Sequence, residues 1–241
     1  MNQKFLSREG SPLRVIIILK LNLFSIIKTM KVIIFDMDGV LFDSVALAES
    51  YFLEDYPNLT REDYKELLTG NIHEEILKFK LNNIGVIRTE EERRLRKIAY
   101  SQRKLKVNMY DGMFELLKFL RQDGCILTIN SSAAERNCLP LLEKAGVQEM
   151  FDWVASAEVS KNKVDKFNMI QKKYKVEREE MLFVTDTLGD IREADLAGIP
   201  TVAVLWGAHN ELYLKREKHG NLKSIVYSPA ELKVFISKFY E

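Results

Sequence analysis

Residues 31–44, KVIIFDMDGVLFDS, decide the fold of this 241-residue chain. Within them the apolar run Val32–Phe35 is short, continuous and rich in β-branched residues, which is typical of a strand buried on both faces of a parallel sheet. The run leads into an acidic turn, where Asp36 and Asp38 lean to the same side while the chain stays extended. Two crowded carboxylates repel each other unless a cation or a shared proton separates them. Since open α/β sheets bind ligands at the carboxyl ends of their strands, we interpret the turn as a metal and catalytic site rather than a solvated acidic loop.

The segment DMDGVLFDS, residues 36–44, resembles the first motif of the haloacid dehalogenase-like hydrolases, in the form D-x-D-G-[VT]-[LI]-x-D-S found in relatives of phosphoglycolate phosphatase and β-phosphoglucomutase. The resemblance implies a doubly wound, Rossmann-like α/β core with a parallel sheet and an inserted α-helical cap domain. It also implies a Mg²⁺-dependent phosphohydrolase that works through a phosphoaspartate. Asp36 would be the nucleophile and a metal ligand. Asp38 would be the general acid and then the base, with its backbone carbonyl facing the metal.

Two further motifs of the family hold the phosphoryl group. Residues 125–130 form a second predicted strand, and Ser131 follows it where the family has a Ser or Thr whose hydroxyl can donate to a phosphoryl oxygen. The third motif is a lysine, commonly set between prolines that this chain lacks. Aligning Asp165 and Phe167 with the family's acidic and aromatic residues places Lys161 there, with Lys163 as the alternative. Several carboxylates and a phosphoryl group require such a positive charge besides the metal.

A second acidic cluster follows another predicted buried strand, Met181–Thr185. Asp186 and Asp190 in this cluster resemble the fourth family motif, G-D-x-x-x-D, with Thr185 in place of the glycine. Mg²⁺ prefers oxygen ligands and keeps some of its waters, so carboxylates from two neighbouring strand ends suit it. By the resemblance, Asp186 binds Mg²⁺ and Asp190 supports the metal site.

The resemblance and the hydrophobic periodicity together divide the chain into core and cap. Residues 30–44 and 108–241 are assigned to the core, and residues 45–107, with about four predicted helices, to the cap. Caps of this family close over the site and select the substrate. The last cap helix is basic, and we favour a solvated helix face with intrahelical ion pairs over a field that attracts a phosphorylated substrate. Its cations are Arg88, Arg93, Arg94, Arg96, Lys97, Arg103, Lys104 and Lys106.

Residues 1–29 precede the first motif and have the outline of a signal peptide, with basic residues before an apolar stretch. They offer no A-x-A cleavage site, and the apolar run is too short to span a membrane. We therefore interpret Met30 as the true start of the protein, so that this N-terminal extension would not be part of the folded domain.

The composition is ordinary for a globular protein, with 46% hydrophobic residues, 29% charged residues and a formal net charge of +1. This balance gives no reason to expect nucleic acid as a partner, and no membrane is expected. Cys125 and Cys138 are predicted to be buried, reduced thiols, which indicates the cytoplasm. His73, His209 and His219 lack ligand spacing and are predicted at the surface. The partner that the resemblance implies is a small phosphorylated metabolite.

Two other functions fit part of the sequence. A β-phosphoglucomutase-like isomerase of phosphosugars would share every core residue named above, because mutase and phosphatase differ in what attacks the phosphoaspartate. A requirement for a hexose bisphosphate would separate them. A non-catalytic binding protein on the same fold is the third hypothesis, disfavoured because no motif acid is lost. The substrate is decided by the cap, and the sequence does not name it.

Overall fold

The computed structural model describes residues 30–82 and 85–240 of the chain. The prediction for residues 1–29 therefore lies outside the described residues. Within the two described ranges no helix combines the length and the apolar character needed to cross a membrane. The stretch Lys31–Glu241 forms one compact unit.

The described residues contain a parallel sheet with the strand order β3-β2-β1-β4-β5-β6. In chain order its strands are β1 (Val32–Phe35), β2 (Ile126–Asn130), β3 (Trp153–Ala155), β4 (Met181–Thr185), β5 (Thr201–Val204) and β6 (Leu222–Val226). The order reverses between β1 and β4, and ligands of doubly wound sheets bind at such a switch point, outside the carboxyl ends of the strands. The predicted doubly wound α/β core is therefore confirmed.

The first four helices between β1 and β2 form the predicted helical insertion. Its helices are α1 (Val45–Asp55), α2 (Arg61–Leu67), α3 (Ile72–Asn82) and α4 (Glu90–Lys104). They share an apolar cluster separate from the core, with Phe52, Tyr56, Tyr64 and Leu67 as its buried members. We call these helices and their connections the cap. After α4 the chain returns to the core beside β1, where Met109 makes an isolated bridge to Phe42.

The remaining helices cover both faces of the sheet. They are α5 (Met113–Gln122), α6 (Glu135–Lys144), α7 (Lys163–Tyr174), α8 (Leu188–Leu196), α9 (Glu211–Leu214) and α10 (Pro229–Phe239). Alternate residues of β1 serve opposite layers, as the period of two in a strand requires. Ile33 and Phe35 join the cluster with α5, α6 and α10, whereas Val32 and Ile34 join the cluster with α7 and α8. Burial on both faces explains why this strand has no polar residue.

Candidate active site

Three carboxylates meet where β1 and β4 end. The two strands are neighbours, and the backbone N–H of Asp36 donates to the carbonyl oxygen of Val184 at 2.9 Å. Asp36 and Asp186 therefore leave the sheet side by side. Asp190 reaches the same place from the first turn of α8, the helix capped by Thr187. One carboxylate oxygen from each of the three acids lies within 4.8 Å of the other two.

Burial and mutual repulsion make this carboxylate group unfavourable without a cation. Burial raises the pKa of Asp36 to about 6, although Lys163 opposes the shift. Burial, followed by the charge of Asp36, raises the pKa of Asp186 well above its usual value. Among the described residues Asp186 Oδ1 is buried and has no hydrogen-bond partner, whereas its Oδ2 accepts from the backbone N–H of Ala208 at 2.7 Å. Three clustered oxygens, one of them unpaired, fit a hard divalent cation such as Mg²⁺.

Two glycines make room for Asp186. A Cβ built at Gly39 would lie 2.0 Å from Asp186 Oδ2, and one at Gly207 would lie 2.3 Å from the same oxygen. Gly39 also has a φ of 78°, which L side chains rarely adopt. The glycine of the first motif is therefore required both for the turn and for the approach of a carboxylate from the neighbouring strand.

A buried lysine bridges two of the carboxylates, and it is Lys163. Its Nζ donates to Asp36 Oδ1 at 2.5 Å and to Asp190 Oδ2 at 2.8 Å. Burial alone would lower the pKa of this ammonium, but Asp190 and Asp36 outweigh burial and raise it, so the lysine is charged. Lys161, which the alignment placed here, is exposed. The structure thus corrects that assignment in favour of the alternative: α7 begins at Lys163, capped by Asn162, and its first residue faces the strand ends.

A second buried lysine, Lys166, lies one helical turn after Lys163. Its Nζ donates to the carbonyl oxygen of Ser131 at 2.6 Å, and burial with the nearby Lys163 charge lowers its pKa to about 8. The sequence analysis missed Lys166. Its burial could have been predicted from its position directly before Phe167 and four residues before Ile170, both of which are core residues.

Ser131 follows β2, as predicted, and is 1% exposed. Its backbone N–H donates to the carbonyl oxygen of Ala155 at 3.0 Å, and its hydroxyl oxygen accepts from the backbone N–H of Ala133 at 3.0 Å. The same hydroxyl contacts the thiol of Cys138, and its hydrogen can donate there or to a ligand in the cavity. The loop after β2 is held from both sides, by β3 and by Lys166.

Asp38 is held by a side chain of the cap. Its Oδ2 accepts from Lys104 Nζ at 2.7 Å, and its Oδ1 accepts a short hydrogen bond from the Ser44 hydroxyl. Burial opposes the charge on Asp38, but Lys104 and Ser44 outweigh burial and lower the pKa of this carboxyl. Lys104 is 1% exposed and sits at the last position of α4. No cap residue was predicted at the site, so Lys104 is a second omission of the sequence analysis.

Three other cations of α4 make ion pairs, and only one of these pairs lies within the helix as the favoured interpretation expects. Arg94 pairs with Glu91 within the helix, while Arg96 and Arg103 pair with Glu54 of α1. Such pairs contribute little individually, about 0–1 kcal/mol each.

A cavity of about 220 Å³ lies between the strand ends and the cap. Its floor includes all the predicted site residues except Lys161, together with Lys163: Asp36, Asp38, Ser131, Lys163, Asp186 and Asp190. Its roof is formed by cap residues Val45, Ala48, Tyr64, Leu68, Gly70, Ile72 and Tyr100. Apart from Lys161, the residues that the sequence motifs singled out therefore line one cavity.

The cap is closed onto the core beside this cavity. The backbone N–H of Gly189 donates to the carbonyl oxygen of Leu68 at 3.0 Å, and Asn71 Nδ2 donates to Glu193 Oε1 at 2.9 Å. His209, predicted at the surface, is instead buried in this contact. Its Nδ1 accepts from the backbone N–H of Leu188 at 2.9 Å, so Nε2 carries the proton and donates to the carbonyl oxygen of Lys65 at 3.0 Å.

Comparisons with known proteins agree with this fold and identify the family. A sequence model of the family described as haloacid dehalogenase-like hydrolase matches residues 33–204. Phosphoglycolate phosphatase 1 of Pseudomonas aeruginosa is 26% identical over 197 residues, which cover 73% of this chain and 70% of that protein. Pyrophosphatase PpaX of Bacillus cereus is 27% identical over 194 residues, covering 77% of this chain and 88% of that protein.

Solved structures share the architecture at lower identity. CbbY of Rhodobacter sphaeroides, in complex with phosphate, has a TM-score of 0.68 and 22% identity, covering 85% of this chain and 96% of CbbY. A hydrolase from Pseudomonas syringae has a TM-score of 0.71 and 18% identity, covering 87% of this chain and 99% of that chain. These likenesses extend over both core and cap, and they establish the fold.

Proposed function

This chain belongs to the haloacid dehalogenase-like hydrolase family, and we propose that it is a Mg²⁺-dependent phosphatase that hydrolyses a small phosphate monoester through a phosphoaspartate on Asp36. The names of its relatives support phosphoryl chemistry, because phosphoglycolate phosphatases and a pyrophosphatase are among them. The observation that carries the proposal is the convergence of Asp36, Asp186, Asp190 and Lys163 on one cavity, with one oxygen of Asp186 unpaired.

In the first step a carboxylate oxygen of Asp36 attacks the phosphorus of the bound ester. The bond from phosphorus to the ester oxygen breaks, and the departing alkoxide takes a proton from Asp38. Asp36, Asp186 and Asp190 would hold Mg²⁺, which would supply positive charge beside the transferring group. Lys163 supplies a second positive charge beside the nucleophile, and the Ser131 hydroxyl donates to a phosphoryl oxygen.

In the second step Asp38 acts as a base. It takes a proton from a water molecule as that water attacks the phosphorus of the phosphoaspartate, which releases inorganic phosphate and restores Asp36. The ionised form of Asp38 is the one that Lys104 and Ser44 stabilise, and it suits this step. For the first step Asp38 has to hold a proton, which Oδ1 can carry in place of the hydrogen bond from Ser44 while Oδ2 still accepts from Lys104.

Trapping the phosphoenzyme tests this proposal. Mass spectrometry after brief incubation with Mg²⁺ and para-nitrophenyl phosphate should locate one phosphoryl group on Asp36. Asp36→Asn should release no phosphate while keeping the wild-type melting temperature, and excess chelator should silence the wild type. A phosphoryl group on another residue, or turnover by Asp36→Asn, would contradict the nucleophile. Slow hydrolysis beside fast isomerisation of a sugar phosphate would favour the mutase.

A further inference from the structure

We infer that the alcohol released by this site is small, electrically neutral and partly apolar, so that its substrate is a phosphate monoester without a second anionic group. The inference rests on the proposed function, which it narrows from phosphate monoesters in general to one class. It comes from the part of the cavity that faces away from the carboxylates, where the alcohol portion of the ester would lie.

Charge in the cavity is confined to the core side. The charged side chains that line it are Asp36, Asp38, Lys163, Asp186 and Asp190, and all of them surround the position of the phosphoryl group. The cap contributes the aliphatic side chains of Val45, Ala48, Leu68 and Ile72, two tyrosine rings and the backbone of Gly70. The described cap residues thus offer no cation to the alcohol portion.

Cations that could have served this purpose are engaged elsewhere. Lys104 is bound to Asp38, and Lys65 pairs with Glu62. Burial lowers the pKa of His73, so this cap imidazole is mainly uncharged near neutral pH. Lys161 is exposed and does not line the cavity. A carboxylate or a second phosphate on the alcohol would therefore lose its hydration without gaining a counter-charge.

The two tyrosines provide neutral hydrogen-bonding capacity. Tyr64 and Tyr100 line the cavity, and among the described residues neither hydroxyl has a hydrogen-bond partner. Each can donate to or accept from an uncharged hydroxyl or carbonyl group. Both are packed by rings of α1, because Phe52 lies 5.4 Å from Tyr64 and Tyr51 lies 4.6 Å from Tyr100, centroid to centroid. Their positions are therefore fixed before any ligand enters.

The size of the cavity limits the alcohol further. Its volume of about 220 Å³ is below the roughly 300–1,000 Å³ of sites for drug-sized ligands, and it must also hold the phosphoryl group. A short aliphatic or single-ring alcohol with one or two uncharged polar groups matches this space, the aliphatic lining and the two hydroxyls.

The names of two relatives refer to compounds that carry a second anionic group. Phosphoglycolate carries a carboxylate besides its phosphate, and pyrophosphate carries a second phosphoryl group. The described cap residues that line the cavity offer neither compound a counter-charge, so the selectivity of this chain should differ from what those names describe.

A matched pair of esters tests the inference on the wild-type protein. Phosphoglycolate and its amide have nearly the same shape, and they differ in whether the end remote from the phosphate is a carboxylate or an uncharged group. We expect kcat/KM for the amide to exceed that for phosphoglycolate by at least about 10-fold, which corresponds to one lost charge interaction. Equal values, or a preference for phosphoglycolate, would overturn the inference and leave the phosphatase proposal intact.

Binding separates failure of the inference from failure of the proposed function. The dissociation constants of both esters are measured by calorimetry on Asp36→Asn with Mg²⁺, where neither is hydrolysed. If wild type releases phosphate from neither ester nor from para-nitrophenyl phosphate, the proposed function fails, and the two Kd values still decide the inference. Tighter binding of the amide supports it, whereas tighter binding of phosphoglycolate, or no binding of either ester, contradicts it.

A cation placed in the roof should reverse the selectivity. Ile72→Lys puts an ammonium into the apolar lining from the first turn of α3, and we expect it to raise the ratio of kcat/KM for phosphoglycolate to that for the amide by at least about 10-fold. Leu77→Lys is the matched control, because Leu77 is on the same helix, is 61% exposed and does not line the cavity. An unchanged ratio in folded Ile72→Lys contradicts the inference. Should that variant not fold, the two measurements above decide the question alone.

Discussion

Lys163 compensates two carboxylates with one ammonium, and its position depends on where α7 begins. Asn162 accepts from the backbone N–H groups of Val164 and Asp165, so the helix starts immediately after it. Lys163, at the first helical position, is buried against Asp36 and Asp190, whereas Lys161 lies outside the helix and is exposed. The same chemical group two residues apart therefore has two different environments.

This contrast gives a matched pair of variants. Lys163→Met should lower kcat/KM by at least about 100-fold, because an uncompensated charge remains beside the nucleophile and a positive charge is lost opposite the phosphoryl group. Lys161→Met should stay within about 3-fold of wild type, as surface substitutions do. Phosphate release from para-nitrophenyl phosphate is the assay, with melting temperature as the check on folding. A large loss of activity in Lys161→Met would indicate that Lys161, and not Lys163, is the lysine of the third motif.

The raised pKa of Asp36, about 6, makes metal binding depend on pH. Mg²⁺ needs the carboxylate form, so at about pH 5 protons should compete with it and weaken its binding by at least about 10-fold relative to about pH 7.5. Calorimetry with Mg²⁺ at the two pH values measures this ratio. An affinity that does not change with pH would contradict the raised pKa.

Metal-free protein provides an independent check of the same group. Because the pKa of Asp36 is higher in the folded state than its usual value of 3.8, its contribution to stability is complete below about pH 4 and is lost as the pH rises through about 6. Asp36→Asn lacks this group, so its melting temperature should decline less over that interval. If the melting temperatures of wild type and Asp36→Asn decline equally over that interval, other residues cause the pH dependence.

The sequence predicted the carboxylates of the site better than its lysines. Each predicted acid directly follows a buried strand or lies one turn into the next helix, so strand order alone brings Asp36, Asp186 and Asp190 together. Lysines are common at surfaces, and nothing local distinguishes Lys104 or Lys163 from exposed neighbours such as Lys106 and Lys161. For Lys166 the only local sign is its position beside the core residues Phe167 and Ile170. What buries them is tertiary packing, which a single sequence does not encode in any short pattern.

At the level of single elements, α4 differs from the other cap helices because its last residue belongs to the active site. The helix runs from Glu90 to Lys104, and most of its length carries surface ion pairs. Its carboxyl end enters the core, where Lys104 reaches Asp38. The position of a cap helix is thus coupled to the charge and orientation of the general acid and base.

Substituting Lys104 should therefore affect the chemistry rather than binding of the ester. Lys104→Met should lower kcat by about 10- to 100-fold, with a smaller change in KM, because Asp38 loses the partner that fixes its carboxylate. Lys106→Met is the control, since Lys106 lies two residues after Lys104 and is exposed. Because Lys104 lowers the pKa of Asp38, its loss should move the limb of the kcat pH profile that reports Asp38 to higher pH in Lys104→Met. A pure effect on KM, or an effect of equal size in Lys106→Met, would place Lys104 outside the mechanism.

At the level of the whole molecule, cap and core come into close backbone contact where α8 meets the residues around Gly70. A Cβ at Gly189, in α8, would lie 2.3 Å from the carbonyl oxygen of Gly70 and 2.8 Å from that of Leu68. The absence of a side chain at Gly189 is therefore what lets the cap close to this distance. Sequence patterns predicted the insertion and its helices, but its closed position depends on contacts between residues more than a hundred positions apart.

One methyl group should consequently hold the cap away. Gly189→Ala favours α8 itself, since alanine is a better helix former by about 1 kcal/mol, so the core should remain folded. The added Cβ should push the residues around Gly70 outward, raising KM and lowering kcat/KM by about 10-fold or more. Gly220→Ala is the control, because its Cβ would meet only Asp195 Oδ1 at 3.8 Å. Wild-type kinetics in Gly189→Ala would show that this approach is not needed for turnover.

The hydrogen bonds that individual carboxylate oxygens accept bear on the size of the metal ion that the site would hold. Asp186 Oδ2 is occupied by a backbone N–H, Asp36 Oδ1 by Lys163, and Asp190 Oδ2 by Lys163 and the Thr185 hydroxyl. Each of these oxygens keeps a lone pair but already accepts a hydrogen bond, which disfavours chelation of one ion through both oxygens of the same acid. Ca²⁺ takes about 6–8 oxygens and often uses bidentate carboxylates, whereas the smaller Mg²⁺ accepts a few monodentate ligands and retains water for the rest. We therefore expect the hydrogen bonds that shape the site to favour the smaller ion over the larger one.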